Sequence, residues 1–171
     1  ARSAVLADAP FHIFTRGNRG QEIFHTTNDY RAFLRILKEC KKFYSFLLFH
    51  YSLMPNHVHL MIWASQMGDF SKIMHRINYR YSMYIKNRYG LKKHGHLWGD
   101  RFKCVQIEDD SQLLTCGLYI ELNPVRAKIC QDPENFAWSS YRYYAFGMAN
   151  PLIDEDPTYQ SLGASNEARQ T

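Results

Sequence analysis

Residues 45–63 read as two apolar strands turning on Met54-Pro55-Asn56, and this pair constrains the fold more than any other stretch of the chain. In a strand, successive side chains point to opposite faces. From His57 onward, Val58, Leu60 and Ile62 therefore line one face while His57, His59, Met61 and Trp63 line the other. The histidine strand should be paired and central in its sheet. Two imidazoles on one side of it aim two neutral nitrogen ligands at one point, which is half of a divalent-metal site. The bare pattern is cheap, because the chain holds eight histidines and a second pair, His94-Gly95-His96, falls in a stretch that reads as loop. The strand setting is what separates His57 and His59 from ordinary core or surface histidines.

The rest of the chain builds around that pair. Phe11 to Thr15 reads as a first strand, ended by an Arg16-Gly17-Asn18-Arg19-Gly20 turn that exposes two arginines. Thr27 or Asn28 can cap a helix whose apolar positions Phe33, Ile36, Leu37 and Cys40 recur at helical spacing. A long helix over about 69–89 carries Phe70, Ile73, Ile77, Tyr81 and Tyr84 on one stripe, with Gly90 placed to end it. Its other side bears Lys72, Arg76, Arg80 and Arg88, either a solvated face or a DNA contact. After a loop to residue 101, residues 102–107 read as the last strand, and Asp109, Asp110 and Ser111 as a helix start. That helix runs to Asn123-Pro124, where proline should end or kink it. Strand-helix-strand-strand-helix-strand-helix implies an α+β domain with a mostly antiparallel sheet. The domain is expected over residues 1–147, with a polar C-terminal tail over 148–171.

Charge and aromatic content narrow the partner. A net charge of +5 and a pI near 9.0 favour an anion, and basic residues interleaved with Tyr and Phe suit single-stranded nucleic acid, where cations neutralise phosphates and rings stack on bases. An ordinary basic enzyme is the competing reading. No apolar run approaches the roughly 20 residues of a membrane span. Cys40, Cys104, Cys116 and Cys130 include no Cys-x-x-Cys, which argues against a zinc ribbon or redox pair and fits a reducing cytoplasm.

Tyr119 and Asn123 lie four apart, on one helical face. His57, His59 and the Asn123 side-chain oxygen would give an ion three protein ligands, and nitrogen with oxygen but no thiolate suits Mg²⁺ or Mn²⁺. Tyr119, one turn away, could attack a phosphate held there. A free phenol has a pKa of about 10, so it needs a cation or base to help. Core packing or a surface position is the bland reading for any one of twelve tyrosines.

Four segments together resemble the single-tyrosine HUH transposases, and most closely the REP-associated tyrosine transposases among them: residues 15–19 (TRGNR), 53–60 (LMPNHVHL), 95–103 (GHLWGDRFK) and 119–127 (YIELNPVRA). The resemblance spans about residues 9 to 146, in order. It implies a ferredoxin-like (RRM-like) sheet with helices on one face and the tyrosine helix across from the histidine pair. It also implies metal-dependent nicking and strand transfer on single-stranded DNA beside hairpins of palindromic repeats, through a 5′-phosphotyrosine and a free 3′-hydroxyl. His57 and His59 match the metal pair, Tyr119 the nucleophile, and Asn123 a third, amide ligand. Arg16, Asn18, Arg19, Arg101, Lys103 and Arg126 match polar and basic positions assigned to DNA, and Arg76 and Arg80 are added to them from the basic side of the long helix.

Glu121 stands where many relatives have histidine; its carboxylate should point away from the Tyr119 face, with little catalytic consequence. His94 and His96 fall in the loop before the last strand, in a structural or DNA-proximal place. Two other functions stay open: a hairpin-binding or regulatory module that has lost catalysis, and an RNA-binding ferredoxin-like domain, which would want stacking aromatics on its sheet. Monomer and homodimer are both compatible with the sequence.

Overall fold

The computed structural model describes residues 9–65, 67–90 and 95–163. Its main elements are β1 (Phe11–Arg16), α1 (Thr27–Cys40), β2 (Phe46–Met54), β3 (His57–Ala64), α2 (Met67–Tyr89), β4 (Lys103–Gln106) and α3 (Asp110–Glu121), the βαββαβα order read from the sequence. The sheet runs β2-β3-β1-β4 with all three pairings antiparallel. β3 is interior, as expected, and the α+β class stands.

The apolar stripes explain how the layers stack. Phe33, Ile36 and Leu37 of α1 and Phe70, Ile73, Ile77 and Tyr81 of α2 are buried with Ile13, Val58, Leu60 and Ile62 of the sheet in one core. Tyr81 is fully buried and donates its hydroxyl to the Ile23 carbonyl at 2.7 Å, so no donor is stranded there. The start of α1 lies one residue before the expected cap: Thr26 is the N-cap, and the Asp29 carboxylate accepts from the His25 and Thr26 N–H groups at 2.9 and 2.8 Å. Gly90 follows α2 at φ +64°.

α1 and α2 share one face of the sheet, but α3 takes part of the other. There Leu113 and Ile120 pack on Phe49, Met61 and Ile107 in a second, smaller core. A β-bulge in β2 feeds it. Leu48 pairs with Ile62 and His50 with Met61, which leaves Phe49 as an extra residue. The alternation flips at that point: Phe46 and Leu48, then Tyr51 and Leu53, face the large core, while Phe49 and His50 turn towards α3. Gly117 of α3 makes room for the approach, since a Cβ there would stand 2.8 Å from His50 Nε2.

The boundary placed at residue 147 does not mark where packing stops. After α4 (Asn123–Arg126) the chain returns along the outer edge of β2, on both sides of α5 (Tyr141–Phe146), and reaches α6 (Pro157–Ser161). Leu53 N–H donates to the Trp138 carbonyl at 2.8 Å, Ser140 N–H to Tyr51 at 3.0 Å and Asp154 N–H to Leu48 at 2.9 Å. An edge strand otherwise presents open backbone groups, and Leu152 and Ile153 add to the large core while closing this one. Among the described residues, no helix is long and apolar enough to cross a membrane.

Candidate active site

β3 and β1 present the site in register. His57 lies opposite Arg16, and His59 opposite Phe14. The two histidine rings stand 4.9 Å apart, and the Phe14 ring touches both at 5.3 and 5.1 Å. His57 Nδ1 lies 2.6 Å from Asn56 Oδ1. An amide oxygen only accepts, so Nδ1 carries the proton and Nε2 keeps its lone pair. His59 Nδ1 is 2.8 Å from Nε2 of His12, a β1 residue.

The tyrosine sits in the last turn of α3, just before the break into α4. Leu122 stays helical, and Pro124 opens α4, where its missing N–H costs nothing. The chain therefore kinks rather than stops, with Arg126 N–H donating to the Leu122 carbonyl at 3.0 Å. This delivers Tyr119 and Asn123 to one place. The Tyr119 ring meets His59 edge-on at 5.7 Å and His12 at 6.0 Å, while the buried Asn123 side chain lies near enough to His57 to raise its pKa. Arg126 places its guanidinium 5.2 Å from the centre of the Tyr119 ring.

Burial lowers the His57 pKa to about 4, helped by the Arg16 charge and opposed by the Asn123 side chain. Burial, with His12 and His57 as neighbours, lowers that of His59 to about 3. Because both values are depressed, protons compete for these lone pairs only well below the usual imidazole range. Mn²⁺ affinity, measured by titration calorimetry, should change by less than about threefold between neutrality and about pH 5, then fall steeply near pH 4. A loss centred near pH 6.5 would show that the rings are not held neutral.

Arg16, Asn18, Arg19, Arg101 and Lys103 line one groove of about 570 Å³ beside His57, together with Phe14, His96 and Trp98. Gly17 lets its walls close: a Cβ there would sit 2.2 Å from the Gln21 carbonyl, while Gly17 N–H donates to Asn56 and Gly99 N–H to Arg16. Among the described residues, none of these cations is in an ion pair with a carboxylate. Arg76 and Arg80 are not part of this surface. They lie on α2, beyond the opposite face of the sheet, where Arg76 stacks 4.0 Å from the Phe43 ring centre and Arg80 pairs with Glu39 at 2.6 Å. Helical spacing identifies a basic side but not which side of the sheet it will occupy. His94 lies outside the described residues.

Sequence reasoning missed His12 and Phe14. Their signal was present, since Phe11, Ile13 and Thr15 alternate with them, but only the β1–β3 register shows that they reach the histidine pair. It also missed what Glu121 does. That carboxylate points away from Tyr119, as expected, into a buried cluster: it accepts from His50 Nδ1 at 2.8 Å and the Ser140 hydroxyl at 2.7 Å, while His50 Nε2 faces Asp156 at 3.3 Å.

Among the described residues, no three His, Cys, Asp or Glu side chains are grouped to hold a metal ion. A site here would rest on two imidazoles and the Asn123 amide, and the donor chemistry fits: His57 keeps its Nε2 lone pair, and both rings are held neutral. Comparison with known proteins bears on the fold and the family. A model of the family described as IS200-like transposases matches residues 6–123. No curated protein matches the chain. A solved structure of a REP-associated tyrosine transposase bound to a REP hairpin is similar over 91% of this chain and 90% of its own, with TM-score 0.69 and 19% identity, which supports the fold. A Deinococcus radiodurans structure described as a transposase is similar over 71% of this chain and 94% of its own, with TM-score 0.47 and 18% identity.

Proposed function

This chain belongs to the family of IS200-like transposases, and we propose that it nicks and rejoins single-stranded DNA at palindromic-repeat hairpins, with Tyr119 as nucleophile. The observation that carries this reading is the edge-on placement of the Tyr119 ring 5.7 Å from His59, with Asn123 on His57 beside it. A phenol and the proposed ligands meet there, beside the basic groove. The hairpin bound to the structurally similar transposase supports the choice of substrate.

His57, His59 and Asn123 would hold Mg²⁺ or Mn²⁺, which when bound supplies Lewis-acid stabilisation of the scissile phosphate. The protein's own groups do the rest. Arg126 holds its guanidinium over the Tyr119 ring, and the phenol proton leaves to solvent. The Tyr119 oxygen bonds to phosphorus as the bond to the 3′-oxygen breaks, and the departing oxygen takes up a proton to become the free 3′-hydroxyl. A 5′-phosphotyrosine remains, and attack by a 3′-hydroxyl reverses the step without ATP. One protomer carries His57, His59, Asn123 and Tyr119 together, which supports action in cis. Residues 9–163 would act as one unit in the cytoplasm.

Incubating the full chain with a labelled hairpin oligonucleotide and Mn²⁺ should give a covalent adduct whose peptide maps to Tyr119. An adduct on another residue, or tight hairpin binding with no adduct across varied sequences, would replace this reading with a different nucleophile or with a binding module. The groove makes a separate prediction. Arg16→Ala and Arg101→Ala should each reduce the slope of log K against log salt for single-stranded DNA by about 0.7. Arg80→Ala should leave that slope unchanged.

A further inference from the structure

We propose that His12 is a positioning residue, which holds His59 in the tautomer that presents Nε2 to a metal ion. The proposal rests on the reading of His57 and His59 as ligands. His12 Nε2 and His59 Nδ1 are 2.8 Å apart, and the two rings lie nearly parallel, 20° apart with centroids at 5.1 Å. Only one hydrogen can lie between those nitrogens. If His12 donates it, the proton of neutral His59 sits on Nε2 and that ring has no lone pair left for a metal. If His59 donates it, Nε2 is free, and the ring matches His57, whose Nδ1–H is committed to Asn56 Oδ1 at 2.6 Å. Two residues apart on one strand, the pair then offers the same nitrogen.

Water is a poor substitute for His12. His59 is only 3% exposed, so an Nδ1–H without a protein acceptor would be stranded. The sheet supplies that acceptor from the neighbouring strand, because Phe14 lies opposite His59 and His12 is the next residue along on the same face. With Nε2 committed to His59, His12 is not a third ligand through that atom. Ligating histidines are commonly fixed by such a partner on the other ring nitrogen, and its loss weakens metal binding by about 10- to 100-fold.

The test compares His12→Phe, which keeps a ring and removes the acceptor, with His12→Gln, whose side-chain oxygen can reach the same place. Mn²⁺ affinity of the full chain, read by electron paramagnetic resonance, should fall about 10- to 100-fold in His12→Phe and recover most of the way in His12→Gln. Imidazole nitrogen NMR without metal should find His59 protonated at Nδ1 in the parent and His12→Gln, and shifted towards Nε2–H in His12→Phe. Unchanged Mn²⁺ affinity in His12→Phe, no advantage of Gln over Phe, or an Nε2–H tautomer of His59 in the parent would overturn the proposal. A parent that takes up no Mn²⁺ would sink the metal reading instead, and the NMR result would still decide the role of His12.

Discussion

Replacing Tyr119 by phenylalanine should abolish the covalent adduct and lower strand nicking by on the order of 10³-fold or more, because the substitution removes the only atom that bonds to phosphorus. Little else should change. Tyr119 is 36% exposed, and its ring contacts with His12, His59 and Arg126 survive in phenylalanine. Hairpin affinity and Mn²⁺ affinity should therefore stay within about twofold of the parent. That split, chemistry lost with binding kept, is what a nucleophile predicts and a packing residue does not. Nicking that persists in Tyr119→Phe would move the reaction to another group.

Glu121→Ala should be the most damaging single change to stability outside the apolar cores, costing about 3 kcal/mol, or roughly 6–12 °C in Tm. His50, Glu121, Ser140 and Asp156 are all buried, and His50 stacks on Tyr144 at 4.3 Å. With a carboxylate accepting at each ring nitrogen, His50 is held as an imidazolium. Burial opposes that charge, but the hydrogen bonds and charges of Asp156 and Glu121 outweigh it and raise the pKa above the ordinary value. Removing Glu121 strands one imidazole N–H and leaves the Ser140 hydroxyl only its longer bond to the Tyr51 carbonyl at 3.4 Å. Urea unfolding of Glu121→Ala and Glu121→Gln against the parent measures the loss, with Gln the milder because it can still accept both hydrogen bonds.

The same cluster sets a pH dependence. A histidine whose pKa is raised on folding binds its proton more tightly in the native state, so its contribution is full below about pH 6.5 and is lost as pH rises through the folded value. Parent stability should therefore fall as pH rises above about 6.5, and Glu121→Ala should flatten that fall. The cluster also ties the tyrosine helix to the C-terminal segment, since Glu121 lies two residues beyond Tyr119 and Asp156 caps α6 through the Thr158 N–H at 2.7 Å.

Much of this was legible in the chain itself. The β2–β3 pair, the stripes of α1 and α2, and the cap at Asp109, which accepts from Gln112 N–H at 2.8 Å, follow from local spacing. So does the sharing of one side by Tyr119 and Asn123. Less legible were the segments that act at a distance. The stretch after Asn150 reads as a polar tail because its aspartates look like solvated charges. Asp154 in fact accepts from Leu48 N–H at 2.8 Å and pairs with Lys41, and Asp156 is fully buried against His50.

The sequence by itself determined the element order, the two histidines on one face of a strand and the tyrosine one helical turn from its amide neighbour. Periods of 2 and 3.6 are properties of the covalent backbone and need no partner. Only the tertiary structure decided that β1 would bring His12 to His59, that a bulge at Phe49 would turn His50 towards Glu121, and that Arg76 and Arg80 would lie behind the sheet. Those outcomes depend on strand register and on which face each helix covers. Both are fixed by burial between segments far apart in the chain.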